Sequence, residues 1–293
     1  MSDEAVAQVR RFNRLVTRRI GALDQSYLRR GRPLGEARLI FEIGVAGADV
    51  RSLRAALGLD SGYLSRLLRA LTAEGLVEVV RGRGDARTKR VALTTQGRAE
   101  LAGYDRLSDE LAHSILAPLA PPDRERLLAA MAEVERLLRA GAIVVALEPV
   151  QSADSAWCLE QYFAELARRF DAGFDPGKGA VVGAEAMKPP HGWFFLARLD
   201  GRPVGCGGLV RLGAKTGEIK RVWTAPDARG LGVARRIVAA IEATAREASM
   251  TVLRLDTNRA LKEAHALYRK LGYVEIARYN DNPYADHWFG KRL

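Results

Sequence analysis

The sequence predicts two domains, a mainly α-helical one followed by an α/β one, and three observations carry that expectation. A chain of 293 residues exceeds one domain of ordinary size. Helical apolar periodicity and a single hairpin fill the first part, and a β pattern takes over at Ile143–Leu147. Finally, Arg221–Arg236, RVWTAPDARGLGVARR, reads as a strand, a tight glycine turn and a helix start in immediate succession. The joint is the short stretch Leu138–Gly141, which places the domains at residues 1–141 and 142–293.

Composition narrows the partners. A formal charge of +11 is spread over both halves and favours anions, although it bears on association and solubility rather than on fold. The two cysteines, Cys158 and Cys206, have no metal-ligand spacing and make no disulfide framework; they read as small buried hydrophobes in a reducing compartment. The N-terminus lacks the apolar core of a secretory signal, and no apolar run reaches the roughly 18 residues of a membrane span. A soluble cytoplasmic protein without metal and without a membrane partner is expected.

In the first domain, Val6–Tyr27 has Val9, Phe12, Leu15, Val16, Ile20 and Leu23 on one stripe of a basic helix. Pro33 and Gly35 break the chain, Leu34–Gly44 makes a second helix, and Asp49 caps a third that ends at Leu57. After the turn at Gly58, Asp60 or Ser61 caps a helix that buries Leu64, Leu67, Leu68 and Leu71 and stops at Gly75. Its opposite face carries Ser61, Tyr63, Ser65, Arg66, Arg69 and Thr72, hydroxyls and guanidiniums suited to a nucleic-acid groove. Val77–Val80 and Arg90–Leu93 form a hairpin whose connection, RGRGDARTK, holds Arg81, Arg83, Arg87 and Lys89 around two glycines. Thr94–Leu116 and Pro122–Leu138 complete the domain as two further helices, with His113 on a surface or interface.

A basic wing directly after a helix–turn–helix, with YLSRLLRALTAEGLVE, Asp85-x-Arg87 and VALTTQGR, resembles the MarR family of winged-helix transcription regulators over about Val6–Leu138. The resemblance implies a recognition helix in the major groove and Arg87 in the minor groove, oriented by Asp85. It also implies a homodimer, held by the first and last helices, on a pseudo-palindromic double-stranded operator. Lys and Arg contacts to phosphate then supply affinity without sequence information.

In the second domain a helix is expected over Ala153–Phe170, followed by a loop at Phe174–Gly177. Trp193–Leu199 and Val204–Val210 pair through the turn Asp200–Pro203. Glu218–Thr224 feeds the glycine turn, and strict alternation places Glu218, Lys220, Val222 and Thr224 on one face. Val252–Asp256 is a strand, Ala260–Leu271 a helix, and Tyr273–Arg278 and Asp286–Gly290 the last two strands.

The motif V-x-x-x-P-x-x-R-G-x-G-x-A from Val222 to Ala234, with RLDTNRALKEAHALYRKLGY from Arg254 to Tyr273, resembles the GNAT N-acetyltransferases. A dinucleotide fold is the rival for such a turn, but Arg235 stands where its last glycine is required. The resemblance implies a mixed, mostly antiparallel sheet. It also implies acetyl-coenzyme A as cosubstrate, its pyrophosphate on the backbone amides of Arg229, Gly230, Leu231, Gly232, Val233 and Ala234, and its thioester beside the backbone of Val222, Trp223 and Thr224. Asn258 matches a position that bonds the pantetheine arm or caps a helix. Thr224 departs from the aliphatic residue common there.

Acetyl transfer to an amine needs a neutral nucleophile, a polarised carbonyl and a proton for the departing thiolate. By the same resemblance Glu218 is the general base, directly or through water, and Tyr268 the proton donor. Asn280, Asp281 and Tyr284, in the polar and aromatic loop before the last strand, are candidates for recognising a small amine or amino-acid-like substrate; His265 and His287 read as ordinary surface or core histidines. Two functions stay open: a regulator that also transfers acetyl groups, or a ligand-sensing domain that only adjusts DNA affinity.

Overall fold

The computed structural model describes residues 2–81, 89–171, 173–175 and 183–293, which divide into two compact units, Met1–Ala129 and Ala130–Leu293.

The first unit begins with α1, Asp3–Arg19, capped by Ser2. The helix ends well before Tyr27 because Gly21 adopts a left-handed conformation (φ 65°). Next come α2 (Leu34–Ile43), the short strand β1 (Ala48–Asp49), α3 (Val50–Leu57) and α4 (Ser61–Ala73). Asp49 accepts from the amides of Arg51 and Ser52, and Asp60 from that of Tyr63, so each helix starts on a carboxylate. Strands β2 (Val77–Arg81) and β3 (Lys89–Leu93) complete a three-stranded antiparallel sheet in the order β1-β3-β2. Leu39, Ile40, Ile43, Leu64, Leu71, Leu76 and Leu93 fill one core beneath helix and hairpin. Helices α5 (Thr95–Leu116) and α6 (Pro121–Gly141) follow, the latter crossing the division between the units.

The second unit is a seven-stranded sheet in the order β4-β5-β6-β7-β8-β10-β9. Its elements, in chain order, are β4 (Val144–Leu147), α7 (Ala153–Arg169), β5 (Gly192–Leu199), β6 (Arg202–Arg211), β7 (Thr216–Thr224), α8 (Val233–Glu247), β8 (Val252–Thr257), α9 (Lys262–Lys270), β9 (Val274–Glu275) and β10 (His287–Arg292). All strand pairs are antiparallel except β7 with β8, which are parallel and whose pairing stops at Glu218 opposite Arg254. Both strands continue past that point, so the sheet opens between them. The expected strand Tyr273–Arg278 contracts to two residues, because the chain leaves the sheet after Glu275 to cross toward β7.

The expected alternation along β7 is corrected by a bulge. Lys220 faces Gly208 and Trp223 faces Cys206, so Arg221 and Val222 together oppose Gly207. Arg221 takes the strained conformation (φ 56°), and the face is exchanged beyond it. Trp223, not Val222 or Thr224, joins Glu218 and Lys220 on the α7 face, where it meets Trp157 edge-on at 5.8 Å. Gly207 is required there: a Cβ would lie 2.6 Å from the Ile237 side chain on α8. Cys158 and Cys206 are buried free thiols in this core. Among the described residues no helix is long and apolar enough to cross a membrane.

Candidate functional site

Anion-binding chemistry is written into the start of α8. Gly230 (φ 78°) and Gly232 (φ 79°) occupy conformations that side chains resist, and Gly232 caps the helix with no side-chain hydrogen bond. The first bond closing the helix runs from the Arg236 amide to the Gly232 carbonyl at 3.1 Å. Among the described residues the amides of Gly230, Gly232, Val233, Ala234 and Arg235 have no backbone acceptor, so they point their dipoles outward at a helix N-terminus. The amides of Arg229 and Leu231 are instead spent on the tight turn, reaching Pro226 and Ala228 at 3.4 Å each. The Arg229 guanidinium is also engaged, with both oxygens of Glu165 at 2.8 and 2.7 Å, and the Trp223 indole donates to the same carboxylate at 2.9 Å. Thr224, at the end of β7, buries a hydroxyl that finds no partner among the described residues. Open amides, left-handed glycines and an orphan hydroxyl together fit a phosphate-bearing ligand.

A cavity of about 130 Å³ lies where β7 and β8 part. Its walls are Tyr162, Phe163 and Leu166 of α7, Phe170 and Phe174 after it, the bulge from Ile219 to Val222, Asp256–Asn258 at the end of β8, Tyr268 of α9, and Asn282 and Tyr284 of the following loop. Phe174 stacks on Phe163 at 5.9 Å and packs on Tyr284 at 4.8 Å, which makes one wall aromatic. Tyr268 is buried, and burial pushes its phenol well above the usual tyrosine value, so it holds its proton.

The opposite wall is polar. Lys220 lies 3.0 Å from Oε1 of Glu218 and 3.0 Å from Oδ2 of Asp256. Tyr279 donates to Glu218 at 2.6 Å, Asn280 donates to both carboxylates, and Asn282 donates to Oδ1 of Asp256 at 3.1 Å. Burial foremost, then the neighbouring Glu218, raises the Tyr279 phenol far above its ordinary value.

The site residues expected from sequence are thus partly assembled. Glu218 is buried at the edge of this network but is not among the described residues lining the cavity; Tyr268 and Val222 line it. Asn258 also lines it, with its amide used locally: Nδ2 donates to the Tyr284 carbonyl at 2.7 Å and Oδ1 accepts from the Ala260 amide at 2.9 Å. Tyr284 is in the wall; Asn280 lies behind it, and its Oδ1 accepts from Trp288 at 2.9 Å. Asp281 is fully exposed and pairs with Arg278 at 2.8 Å, which removes it from the cavity altogether. His265 is buried against the Asn258 carbonyl, and His287 pairs with Glu275. Sequence reasoning missed Lys220, Asp256, Asn282 and Glu165. Asp256 was within reach, since it precedes Asn258 by one strand period in RLDTN.

In the first unit Ser61, Tyr63, Ser65, Arg66 and Arg69 are all exposed on α4, opposite buried Leu64, Leu67 and Leu71. Arg66 stacks over the Tyr63 ring at 5.6 Å, and Arg69 donates to the Ser65 carbonyl. Lys89 is exposed at the base of the hairpin, where Arg90 bonds the Ala46 carbonyl at 2.6 Å; Arg83, Asp85 and Arg87 lie outside the described residues.

Comparison with known proteins gives these sites their kin. The profile of the Acetyltransferase (GNAT) family matches residues 157–273. An IAA acetyltransferase of Azospirillum brasilense is 32% identical over 116 residues, 39% of this chain and 76% of that protein. The chain belongs to the GNAT acetyltransferase family. An uncharacterized N-acetyltransferase, YjgM, of Escherichia coli (strain K12) is 30% identical over 124 residues, 40% of the chain and 73% of that protein. Ahead of the GNAT region, residues 30–88 match the MarR family profile, so one chain carries both. Wild-type MarR of E. coli, in its apo form, aligns with 43% of the chain and 93% of its own length at 22% identity and a TM-score of 0.39.

Proposed function

We propose that the chain is a bifunctional DNA-binding regulator and acetyl-coenzyme A-dependent N-acetyltransferase, transferring acetyl directly to a small amine or amino-acid-like acceptor, with the division of labour at residues 1–141 and 142–293. The observation that carries the enzymatic half is the start of α8, where the amides of Gly230, Gly232 and the first helical residues stand open, in a unit that also holds a cavity lined by the buried Tyr268. The open amides of Gly230 and Gly232 to Arg235 hold the pyrophosphate, and the Thr224 hydroxyl offers a further donor nearby. When bound, acetyl-coenzyme A supplies the activated acyl group. The bulge residues Arg221 and Val222 line the cavity, where a backbone amide released from the β6 ladder could polarise a carbonyl. Tyr268 delivers a proton to the leaving sulfur. Glu218 supports the basic side through the groups bonded to it, since it lies behind the wall.

For the regulatory half, α4 presents its exposed polar face to DNA, and the unburied stripe of Val6, Val9, Phe12 and Leu15 on α1 suits a homodimer on a pseudo-palindromic site. The aromatic wall of the cavity favours an acceptor with an apolar body. A thiol-release assay over an amine panel tests the enzyme: turnover is expected with at least one primary amine, and acetyl-coenzyme A binding without any turnover leaves only a ligand sensor. Selection of bound sequences from random DNA tests the regulator. Arg66→Ala is expected to weaken binding, and unchanged affinity and salt dependence would remove α4 from the interface.

A further inference from the structure

We infer that Asp256, not Glu218, is the carboxylate that meets the acceptor nitrogen, an assignment that rests on the acetyltransferase function proposed above. Among the described residues lining the cavity, Asp256 is the one carboxylate. Glu218 and Asp256 are buried alike, their side chains 5% and 8% exposed, but Glu218 does not line the cavity, and its Oε1 receives Tyr279, Asn280 and Lys220 behind the wall. The two oxygens of Asp256 are used unequally. Among the described residues Oδ2 receives Lys220 and Asn280, whereas Oδ1 receives only Asn282. A carboxylate oxygen has two lone-pair directions, so Oδ1 keeps one for a ligand.

The surrounding titratable groups cannot take that part. Lys220 and Arg221 of β7 are cations in the same wall, Arg254 stacks on the Tyr279 ring at 5.4 Å, and Tyr162, Tyr268 and Tyr279 are held protonated by burial. A protonated phenol has a hydrogen to give, as Tyr279 does to Glu218, and is no base. Lys220, Asn280 and Asn282 fix the Asp256 carboxylate in one orientation, as a group in contact with substrate requires. In the step assigned here the acceptor enters as an ammonium ion and donates an N–H to Oδ1. That N–H bond breaks with its electron pair left on nitrogen, an O–H bond forms on Asp256, and the proton passes to solvent before the next turnover. Glu218 is a positioning residue that holds Lys220 and Tyr279 in place.

The test compares the unsubstituted protein with Asp256→Asn, Asp256→Glu and Glu218→Gln, using as probe the amine turned over fastest in the panel. Amine binding is measured calorimetrically without acetyl-coenzyme A, and kcat/KM across pH. For Asp256→Asn we expect amine affinity to fall about tenfold or more and kcat/KM about 100-fold, with acetyl-coenzyme A affinity kept. Its residual rate should rise about tenfold per pH unit toward the amine's pKa, near 10 for an alkylamine, because only free amine then reacts. Glu218→Gln should lose rate without acquiring that slope. Asp256→Glu keeps the charge and should retain the parental pH profile at a higher KM, which carries the test if the Asn variant does not fold. Parental amine affinity and pH profile in Asp256→Asn, an unaltered KM in Asp256→Glu, or the steep slope in Glu218→Gln instead, overturns the assignment. Absence of turnover by the unsubstituted protein with every amine overturns the enzymatic reading itself, and this assignment with it.

Discussion

At the scale of single residues, burial does much of the chemical work. Tyr268, on α9, packs against Tyr273 and Phe289, and its raised pKa follows from desolvation first, then from Tyr162 and Asp256. Tyr268→Phe keeps that packing and removes the proton, so kcat should fall by about 100-fold while acetyl-coenzyme A affinity, read by calorimetry, stays put. Glu165 is the other residue whose removal is informative. It accepts from Trp223, Arg229 and Arg169 together, at 2.9, 2.7 and 3.0 Å. Glu165→Leu should cost about 2 kcal/mol in urea unfolding, mostly from the orphaned indole N–H, because the half-exposed Arg229 is screened by solvent. Glu165→Gln keeps an acceptor for the indole and should cost clearly less. Tyr268 was named from the sequence, but the contacts of Glu165 were not legible: Glu165 lies 58 positions from Trp223, and no local pattern reports a contact across that separation.

At the scale of elements, local chemistry was far more legible. Asp49 and Asp60 announce their helices, and the glycines of RGLG announce a left-handed turn before α8. What escaped was the bulge in β7. It depends on Gly207, a residue on the neighbouring strand that leaves room for two residues to oppose one, and period-two alternation assumes that no such exchange occurs. The short β9 escaped for a related reason, since the chain beyond it leaves β10 and carries Tyr279 to Glu218. Gly232→Ala tests the turn: placing an L side chain at φ 79° should cost about 1–2 kcal/mol and weaken acetyl-coenzyme A together with it, measured by thermal unfolding with and without ligand.

At the scale of the whole molecule, the order of parts was legible because each unit announces itself twice, by a hydrophobic period and by a charged or glycine-rich signature. The assembly of the cavity was not, since its walls come from α7, β7, β8, α9 and a loop near residue 284. One global property follows from the buried phenols. Tyr162, Tyr268, Tyr273 and Tyr279 all have pKa values raised by burial above the unfolded value of about 10. Raised folded values mean that their contribution to stability is complete below pH 10. It drains away as pH climbs further, when only the unfolded chain can ionise. Urea midpoints followed by Trp fluorescence should therefore hold flat from pH 8 to 9.5 and fall steeply above about 10.

The bare start of α8 has a consequence for the lifetime of the molecule. An anion held on the open amides at the start of α8 would stabilise that helix end, so the occupied protein should be the more durable form. Saturation at about 100 times the dissociation constant adds about 2.7 kcal/mol, enough to suppress transient opening roughly 100-fold. With acetyl-coenzyme A as that occupant, limited proteolysis should slow with its concentration.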